Sequence, residues 1–186
     1  MTADVFPLWT TPIWIGQVPT DAIAELDAAW TPEPAADSID PAATVAAPMP
    51  LPGFALELEL AAAQLCPNAA VGDLRWKHTI EQWPPGYYNG MRYGEGLLRA
   101  LVILSSNASR DHPDSGAISL HDPRAGSANV GLPGLPWGRP AKIPPLAGAA
   151  AAFPGWLGWS VAPLRAPHRI VVWMAVAEPA SVGDNY

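Results

Sequence analysis

The stretch that decides the fold runs from Ala149 to Ala177 and reads AAAAFPGWLGWSVAPLRAPHRIVVWMAVA. Three apolar runs of strand length lie in it, at 149–153, 158–162 and 169–177, and proline or glycine residues separate each run from the next. Runs this short, bounded by turn residues, are typical of β-strands, whereas helices need longer periodic segments. The segment therefore predicts consecutive short strands of a sandwich or jelly roll.

The same pattern continues toward the N-terminus as far as Asp73. Further strand candidates lie at 74–83, 97–105, 116–121 and 140–144. The 23 prolines of the chain break long helices and punctuate short strands. Because the sequence also has no internal repeat, no glycine-rich phosphate loop and no heptad pattern, we predict a mostly β jelly roll.

The N-terminal third is expected to cover this sheet structure. Residues 5–18 read as an opening edge strand interrupted by prolines, and residues 20–30 read as a short helix with an N-cap. The Pro/Ala-rich residues 31–53 predict a loop. Residues 54–66 predict a second helix, although their Leu/Glu alternation also fits a strand. The Gly/Pro-rich residues 125–140 predict a long loop at the mouth of the barrel.

Composition bounds the class of protein. A chain of 186 residues is enough for one compact domain, which we expect to span 1–186. A net charge of −7 without any basic cluster argues against nucleic acid and an anionic membrane surface as partners. The lone cysteine, Cys66, excludes an intramolecular disulfide and suits a reducing compartment. With no signal-peptide pattern and with prolines breaking the apolar run 146–164, we expect a cytoplasmic protein.

Five segments carry a family resemblance. They are Ile80–Asn89 (IEQWPPGYYN), Leu98–Leu104 (LRALVIL), Ile118–Arg124 (ISLHDPR), Ala152–Val161 (AFPGWLGWSV) and Arg169–Met174 (RIVVWM). In this order they resemble the small 2-oxoglutarate/Fe(II) oxygenase-like proteins, with their DPR and FPSWLxHxV-like turns. Phe6–Ile13 also looks like the family's first strand. The resemblance implies a double-stranded β-helix, a cupin-like jelly roll, with one or two short covering helices near the N-terminus.

The resemblance also implies three positions for iron ligands, and this chain carries unusual residues at each. The family's metal strand falls on Met91 and Tyr93, and its distal histidine falls on Trp159. A thioether is a poor Fe(II) ligand, a phenol must lose a proton to bind well, and an indole N–H only donates. Arg169, ten residues after Trp159, matches the arginine that binds 2-oxoglutarate, but Val171 stands where the family has a hydroxyl. We therefore expect the fold without its usual metal site.

A second set of residues offers displaced iron ligands. Its members are His112, Asp114, His121, Asp122 and His168. His112-Pro-Asp114 has the His-x-Asp form that oxygenases use, with His168 as a candidate third ligand. Arg169 directly follows His168, so on a strand their side chains point to opposite faces. The segment around His112 also fits a polar turn, and we prefer that interpretation, with His168 as a surface histidine.

Without a metal, the chemistry would fall to side chains of the barrel. The predicted catalytic residues are Arg169, Tyr93 and Glu95, and the predicted substrate contacts are Met91, Trp159, His78, Trp83 and Tyr87. We expect Arg169 inside the barrel, where a buried arginine needs an anionic partner. That partner is either a substrate carboxylate or enolate, or an internal acid such as Glu81. Plainer roles stay open, namely a hydrogen-bonded buried histidine at His78 and a solvated turn carboxylate at Glu95.

Three functions remain open. The first, which we favour, is an enzyme without metal or other cofactor, such as a cyclase, pericyclase or isomerase of specialised metabolism. It would act on a partly apolar small molecule with an anionic or carbonyl group, through shape and placed hydrogen-bond donors. The second is an active 2-oxoglutarate/Fe(II)-dependent hydroxylase with displaced ligands. The third is a non-catalytic binding protein, and a homodimer is compatible with all three.

Overall fold

The computed structural model describes residues 11–29, 45–46, 65, 74–108, 111–123 and 138–179. Within these ranges helix α1 spans Thr20–Ala29. The strands are β1 Trp14–Gln17, β2 Val45–Ala46, β3 Leu74–Trp83, β4 Asn89–Arg92, β5 Leu98–Ser106, β6 Ile118–Leu120, β7 Ala141–Ile143, β8 Ala149–Pro154, β9 Trp159–Val161 and β10 Ile170–Pro179.

The strands form two sheets. The larger has the order β1-β8-β5-β10-β3-β2, and the smaller has the order β4-β9-β6-β7. Every pairing between described strands is antiparallel. From β3 to β10 successive strands change sheet, with β6 and β7 together in the smaller one. This winding is a double-stranded β-helix, so the predicted fold class is confirmed.

The main core lies between the two sheets. Its fully buried members include Trp83, Ile118, Ile143, Phe153 and Val172. Inward-facing apolar residues alternate with outward-facing ones along each strand, as the pleat requires. Burial of apolar surface contributes about 25 cal/mol per Å², and this contribution holds the sheets together.

A second core covers the outer face of the larger sheet. Val102 and Trp173 of the sheet pack there with Val18 and with Ile23 of α1. The central strands β5 and β10 are therefore buried on both faces. This double burial explains why their sequences are almost continuously apolar instead of alternating.

Most elements match the sequence-based predictions. Helix α1 is confirmed, and the seven strands predicted from residue 74 onward are confirmed to within one or two residues at each end. Strand β1 lies at the edge of its sheet, as its prolines predicted. Strand β4 was not predicted from the pattern, because Pro84, Pro85 and two glycines interrupt it or precede it.

Several predictions fall largely outside the described residues. Within the predicted loop 31–53, only Val45–Ala46 is described, and it forms a strand paired with β3, so the loop prediction is wrong there. Of residues 54–66 only Leu65 is described, and it is helical. The predicted loop 125–140 is described only at its last three residues. No helix in the described part of the chain is both long and apolar enough to cross a bilayer.

His78 lies on the outer face of the larger sheet. Its ring packs against Trp173, with 5.2 Å between the ring centroids, and within the described part of the chain neither ring nitrogen has a hydrogen-bond partner. Burial lowers the pKa of His78 below its usual 6.5. Since Lys77 and Thr79 occupy the opposite face of β3, the predicted contact between His78 and a substrate inside the barrel has no support in the fold.

The buried His78 should make the protein less stable in mild acid. Because its pKa is lower in the folded chain than in the unfolded chain, protonation below about pH 6.5 favours unfolding. Stability is then full above that pH and is lost as the pH falls toward the lowered pKa. We expect Tm to drop by a few degrees between about pH 7.5 and about pH 5.5, and His78→Phe to flatten this dependence. His112→Gln, at an exposed histidine, is the control; an equal flattening there would contradict the assignment.

Candidate active site

One row of inward-facing side chains crosses the larger sheet near the end of β10. Val176 is the cross-strand partner of both Lys77 and Arg99, and Arg99 is in turn the partner of Phe153. Cross-strand partners project from the same face of a sheet. Because Phe153 belongs to the core between the sheets, this face is the inner one. We call this end of the barrel the mouth.

A cleft of about 460 Å³ opens at the mouth. Its lining comes from β3, the loop after β4, β5 and β10: Lys77, Thr79, Tyr93, Gly94, Glu95, Arg99, Val176 and Glu178. Two of the three predicted catalytic residues, Tyr93 and Glu95, thus lie in one cleft. Its volume is within the range of small-molecule sites.

Arg99 is the half-buried cation of this cleft. Its guanidinium lies 5.7 Å from the centroid of the Trp159 ring, a cation–π distance. Its Nε atom is buried and has no hydrogen-bond partner among the residues that the structure describes. Burial lowers the pKa of Arg99, and the charges of Glu81 and Glu95 oppose that shift. Arg99 therefore remains a cation whose Nε–H donates to no acceptor among the described residues.

Glu81 lies further along the inner face of β3. It shares that face with Lys77 and Trp83, since each is two or four residues from it on the strand. The Trp83 Nε1–H donates to the Glu81 carboxylate at 2.9 Å. Trp83 stacks on Tyr87 with 5.0 Å between ring centroids. Burial, and after it the charge of Glu81, raises the pKa of Tyr87 to about 12, against the opposing charge of Arg92.

These groups make acid–base chemistry available inside the barrel. Glu81 is an acceptor carboxylate, and Tyr87 keeps its phenolic proton at neutral pH because its pKa is about 12. Arg99 supplies a fixed positive charge. A carboxylate, a protonated phenol and a guanidinium can together move a proton and stabilise a developing anion.

Met91 and Tyr93 do not project into the core beside Trp159. They are 55% and 71% exposed, and the Tyr93 hydroxyl donates to the Met91 sulfur at 3.3 Å. Trp159 is buried, and its cross-strand partner is Arg92, after a register shift between Asn89 and Arg92. The three positions equated with iron ligands therefore lie at one end of the barrel, but Met91 and Tyr93 are exposed there while Trp159 is buried in the core.

Arg169 lies at the other end of β10. It is exposed, and its backbone amide donates to the Asn107 side chain at 2.6 Å. Seven residues of strand, about 23 Å at 3.3 Å per residue, separate it from Val176 at the mouth. The expectation of an inward Arg169 is wrong, because its neighbours His168 and Ile170 take the buried positions. Val171 packs in the outer core rather than inside the barrel.

Two of the displaced ligand candidates, His112 and His168, lie close together, with 6.3 Å between their ring centroids, and others of the set make separate contacts. Asp114 pairs with Lys142 at 2.8 Å, and His121 bonds to Ser160 at 2.8 Å on the outside of the smaller sheet. His168 is buried instead of lying on the surface, with Nδ1 at 3.0 Å from the Ser115 hydroxyl. Among the residues that the structure describes, no three His, Cys, Asp or Glu side chains form a group able to hold a metal ion.

The sequence-based prediction gave no role to Arg99, and it included Glu81 only as an acid that could pair with Arg169. A signal was present in the strand LRALVILSS, where Arg99 is the single charged residue. A charged residue in an otherwise buried strand is rarely tolerated without a specific partner. The glutamate two residues before Trp83 carries a weaker signal of the same kind.

Comparisons with known proteins bear on the fold. No family model and no curated protein matches the chain. A prolyl-4-hydroxylase from Pseudomonas putida is 15% identical over 92% of this chain and 90% of its own, with a TM-score of 0.58. EvdO2 from Micromonospora carbonacea var. aurantiaca, complexed with 2-oxoglutarate, is 14% identical over 95% and 90%, with a TM-score of 0.54. Iron-bound HygX from Streptomyces hygroscopicus is 15% identical over 91% and 83%, with a TM-score of 0.50.

These likenesses show a 2-oxoglutarate/Fe(II) oxygenase-like fold. They also correct the prediction that the protein takes no cofactor. Structures with this fold hold iron, 2-oxoglutarate, or nickel with 2-oxoglutarate, so the fold gives no ground for excluding them. Whether this chain could hold iron depends on Met91, Tyr93 and Trp159, the residues that the resemblance equates with iron ligands. A thioether, a phenol that donates to it and an indole do not fit Fe(II), and we derive no step through a metal there.

Proposed function

We propose that the protein is an enzyme that transforms a small molecule at the barrel mouth, by acid–base chemistry of its own side chains, in a cyclisation or isomerisation. The observation that carries the proposal is Arg99 in the lining of the mouth cleft, with the charge of Glu81 acting on both Arg99 and Tyr87. Titratable groups held partly buried beside a cleft are typical of active sites.

Each of the three groups has a role in this proposal. Arg99 binds the anionic or carbonyl group of the substrate and stabilises the negative charge that develops beside it. The Glu81 carboxylate removes a proton and returns it at another atom, so the reaction consumes no oxidant and no net proton. Tyr87 donates a hydrogen bond from its retained phenolic proton. Tyr93 and Glu95 line the entrance and contact the remainder of the substrate.

Mass spectrometry can test this function without knowledge of the substrate. The purified protein is incubated with a small-molecule extract of the cells that make it, and substrate and product are followed by chromatography and mass. A cyclisation or isomerisation changes retention while the mass stays the same. We expect such a conversion with the wild-type protein and its loss in Glu81→Gln. A conversion that proceeds equally in Glu81→Gln would contradict the assigned base.

The oxygenase-like solved structures favour a second candidate, an Fe(II)- and 2-oxoglutarate-dependent hydroxylase. Incubation of the protein with the same extract in air, with Fe(II) and 2-oxoglutarate added, distinguishes the hydroxylase from the isomerising enzyme. A hydroxylase adds one oxygen atom to its substrate and releases succinate. Formation of both products would replace the proposed isomerisation with oxidation. Binding with no conversion in either arm would favour the non-catalytic binding protein.

The partners predicted from composition remain predictions. They are a partly apolar small molecule with an anionic or carbonyl group, no nucleic acid, no membrane surface, and a homodimer as one assembly compatible with the chain. The extension of a single domain over 1–186 and a cytoplasmic location are predictions of the same standing.

A further inference from the structure

The guanidinium of Arg99 has two close neighbours. The centroid of the Trp159 ring lies 5.7 Å from it. The backbone of Gly94 lies so close that an added Cβ would come within 2.7 Å of Arg99 Cζ and Nε. A side chain at position 94 would displace the guanidinium. The glycine therefore leaves the space that keeps Arg99 above the tryptophan.

The charged side chains that line the cleft are partly paired with one another. Lys77 is already bound to Glu178 at 2.7 Å. Among the described residues no Asp or Glu oxygen lies within ion-pair distance of Arg99, although Glu81 and Glu95 act on it from further away. A partly buried guanidinium whose Nε has no partner in the described ranges favours an incoming anion.

The lining also limits how much negative charge a ligand can carry. Two cations, Lys77 and Arg99, face two carboxylates, Glu95 and Glu178. Since Lys77 is paired with Glu178, one negative charge on the ligand can be balanced at Arg99, and a second would meet Glu95 at the rim. Val176 and the Tyr93 ring give the remaining part of the ligand an apolar surface.

We propose that the mouth cleft binds the carboxylate of an amphipathic monocarboxylic acid in two hydrogen bonds from the planar fork of Arg99. This inference rests on the proposed function in that it names the substrate class for the same site. The guanidinium matches a carboxylate in two parallel hydrogen bonds, a geometry that a lysine cannot reproduce. The apolar body of the acid then packs on Tyr93 and Val176.

Calorimetric titration with simple probes tests the inference. The probes are phenylacetate, its neutral amide phenylacetamide, 2-oxoglutarate and inorganic phosphate. With the wild-type protein we expect phenylacetate to bind more tightly than the other three. Arg99→Met should weaken phenylacetate binding by about 10- to 100-fold, the loss expected for a charge-assisted pair, and leave phenylacetamide unchanged. Equal binding of acid and amide, or tighter binding of phosphate or 2-oxoglutarate, would overturn the monocarboxylate assignment.

Two further variants show whether a loss of phenylacetate binding comes from the position of the Arg99 guanidinium. Gly94→Ala keeps the charge of Arg99 but removes the space for its guanidinium, so it should weaken phenylacetate binding as well. Arg139→Met removes an exposed arginine outside the lining of the mouth cleft and should change nothing. Circular dichroism shows whether each variant is folded. A loss in Arg169→Met, with Arg99→Met unaffected, would move the anion to the other end of the barrel and refute the site.

Failure of the carboxylate site can be distinguished from failure of the proposed catalysis. Phenylacetate binding that depends on Arg99, with no conversion of any cellular compound, supports the site and contradicts the proposed catalysis. Conversion of a neutral carbonyl compound that is lost in both Glu81→Gln and Arg99→Met, with no binding of phenylacetate, supports the enzyme and contradicts the carboxylate site.

Discussion

Replacing Glu81 with glutamine is expected to lower the rate of the proposed reaction by about 100- to 10 000-fold, the range for loss of a general acid or base. Glutamine has the same shape as glutamate, and its side-chain oxygen can still accept from Trp83 Nε1, so the fold should be kept. Only the ability to take up a proton is lost. The effect on the free energy of unfolding should therefore be small beside the effect on the rate.

A second measurement on Glu81→Gln is independent of turnover. The charge of Glu81 helps to raise the pKa of Tyr87 to about 12, so its removal should lower that pKa. Titration of the phenol by nuclear magnetic resonance follows this change. Asp21→Asn, at an exposed carboxylate on α1, is the matched control and should leave both the rate and the pKa of Tyr87 unchanged. An unshifted Tyr87 in Glu81→Gln would show that the two groups do not interact.

Gly155→Ala is expected to cause the largest loss of stability, about 2–3 kcal/mol of the free energy of unfolding, at the upper end of overpacking effects. A Cβ at Gly155 would run into the carbonyl oxygen of Gly96, and it would lie 2.9 Å from the carbonyl oxygen of Glu95. Both obstacles are backbone atoms, which cannot rotate away as the end of a side chain can. For a chain of this length Tm should fall by about 4–12 °C.

The same change should weaken binding at the mouth. Gly155 accepts from the Gly94 amide at 3.0 Å and donates to the Leu97 carbonyl at 3.1 Å, and these bonds position the loop that carries Tyr93 and Glu95. Gly90→Ala is the matched control. A Cβ at Gly90 meets nothing within 4 Å, so its effect should stay within about 0.5 kcal/mol. Equal losses in the two variants, measured by thermal unfolding, would contradict the steric explanation.

Much of the fold could be predicted because it depends on local patterns. The strands LRALVILSS and IVVWMAVAEP are apolar over strand length, and turn residues mark their ends. The helix α1 follows from its spacing and first-turn acid. These apolar runs, turn residues and helical spacings each involve residues close together in sequence, so they can be recognised without knowledge of the rest of the chain.

The candidate site was harder to predict, because the face of the sheet from which a side chain projects depends on the register of its strand. A shift of one residue moves a side chain to the other face of a sheet. Register irregularities occur between Asn89 and Arg92 and between Val171 and Val172. Spacing alone cannot reveal such bulges. Arg92 is therefore the residue paired with Trp159, and Arg169 is exposed although its distance from Trp159 matches the family pattern.

The segment from Ala149 to Ala177 by itself determined that the chain forms successive short strands, because length, β-propensity and turn residues are local properties. The resemblance in sequence also predicts that Trp159, and not a histidine, stands at the position of the family's distal ligand, and this assignment stays a prediction. Only the tertiary structure decided which cation lies at the mouth. Strand pairing and the Gly94 loop bring Arg99 of β5 over Trp159 of β9, while Arg169 lies at the other end of β10. Such a meeting of distant residues depends on strand pairing rather than on spacing.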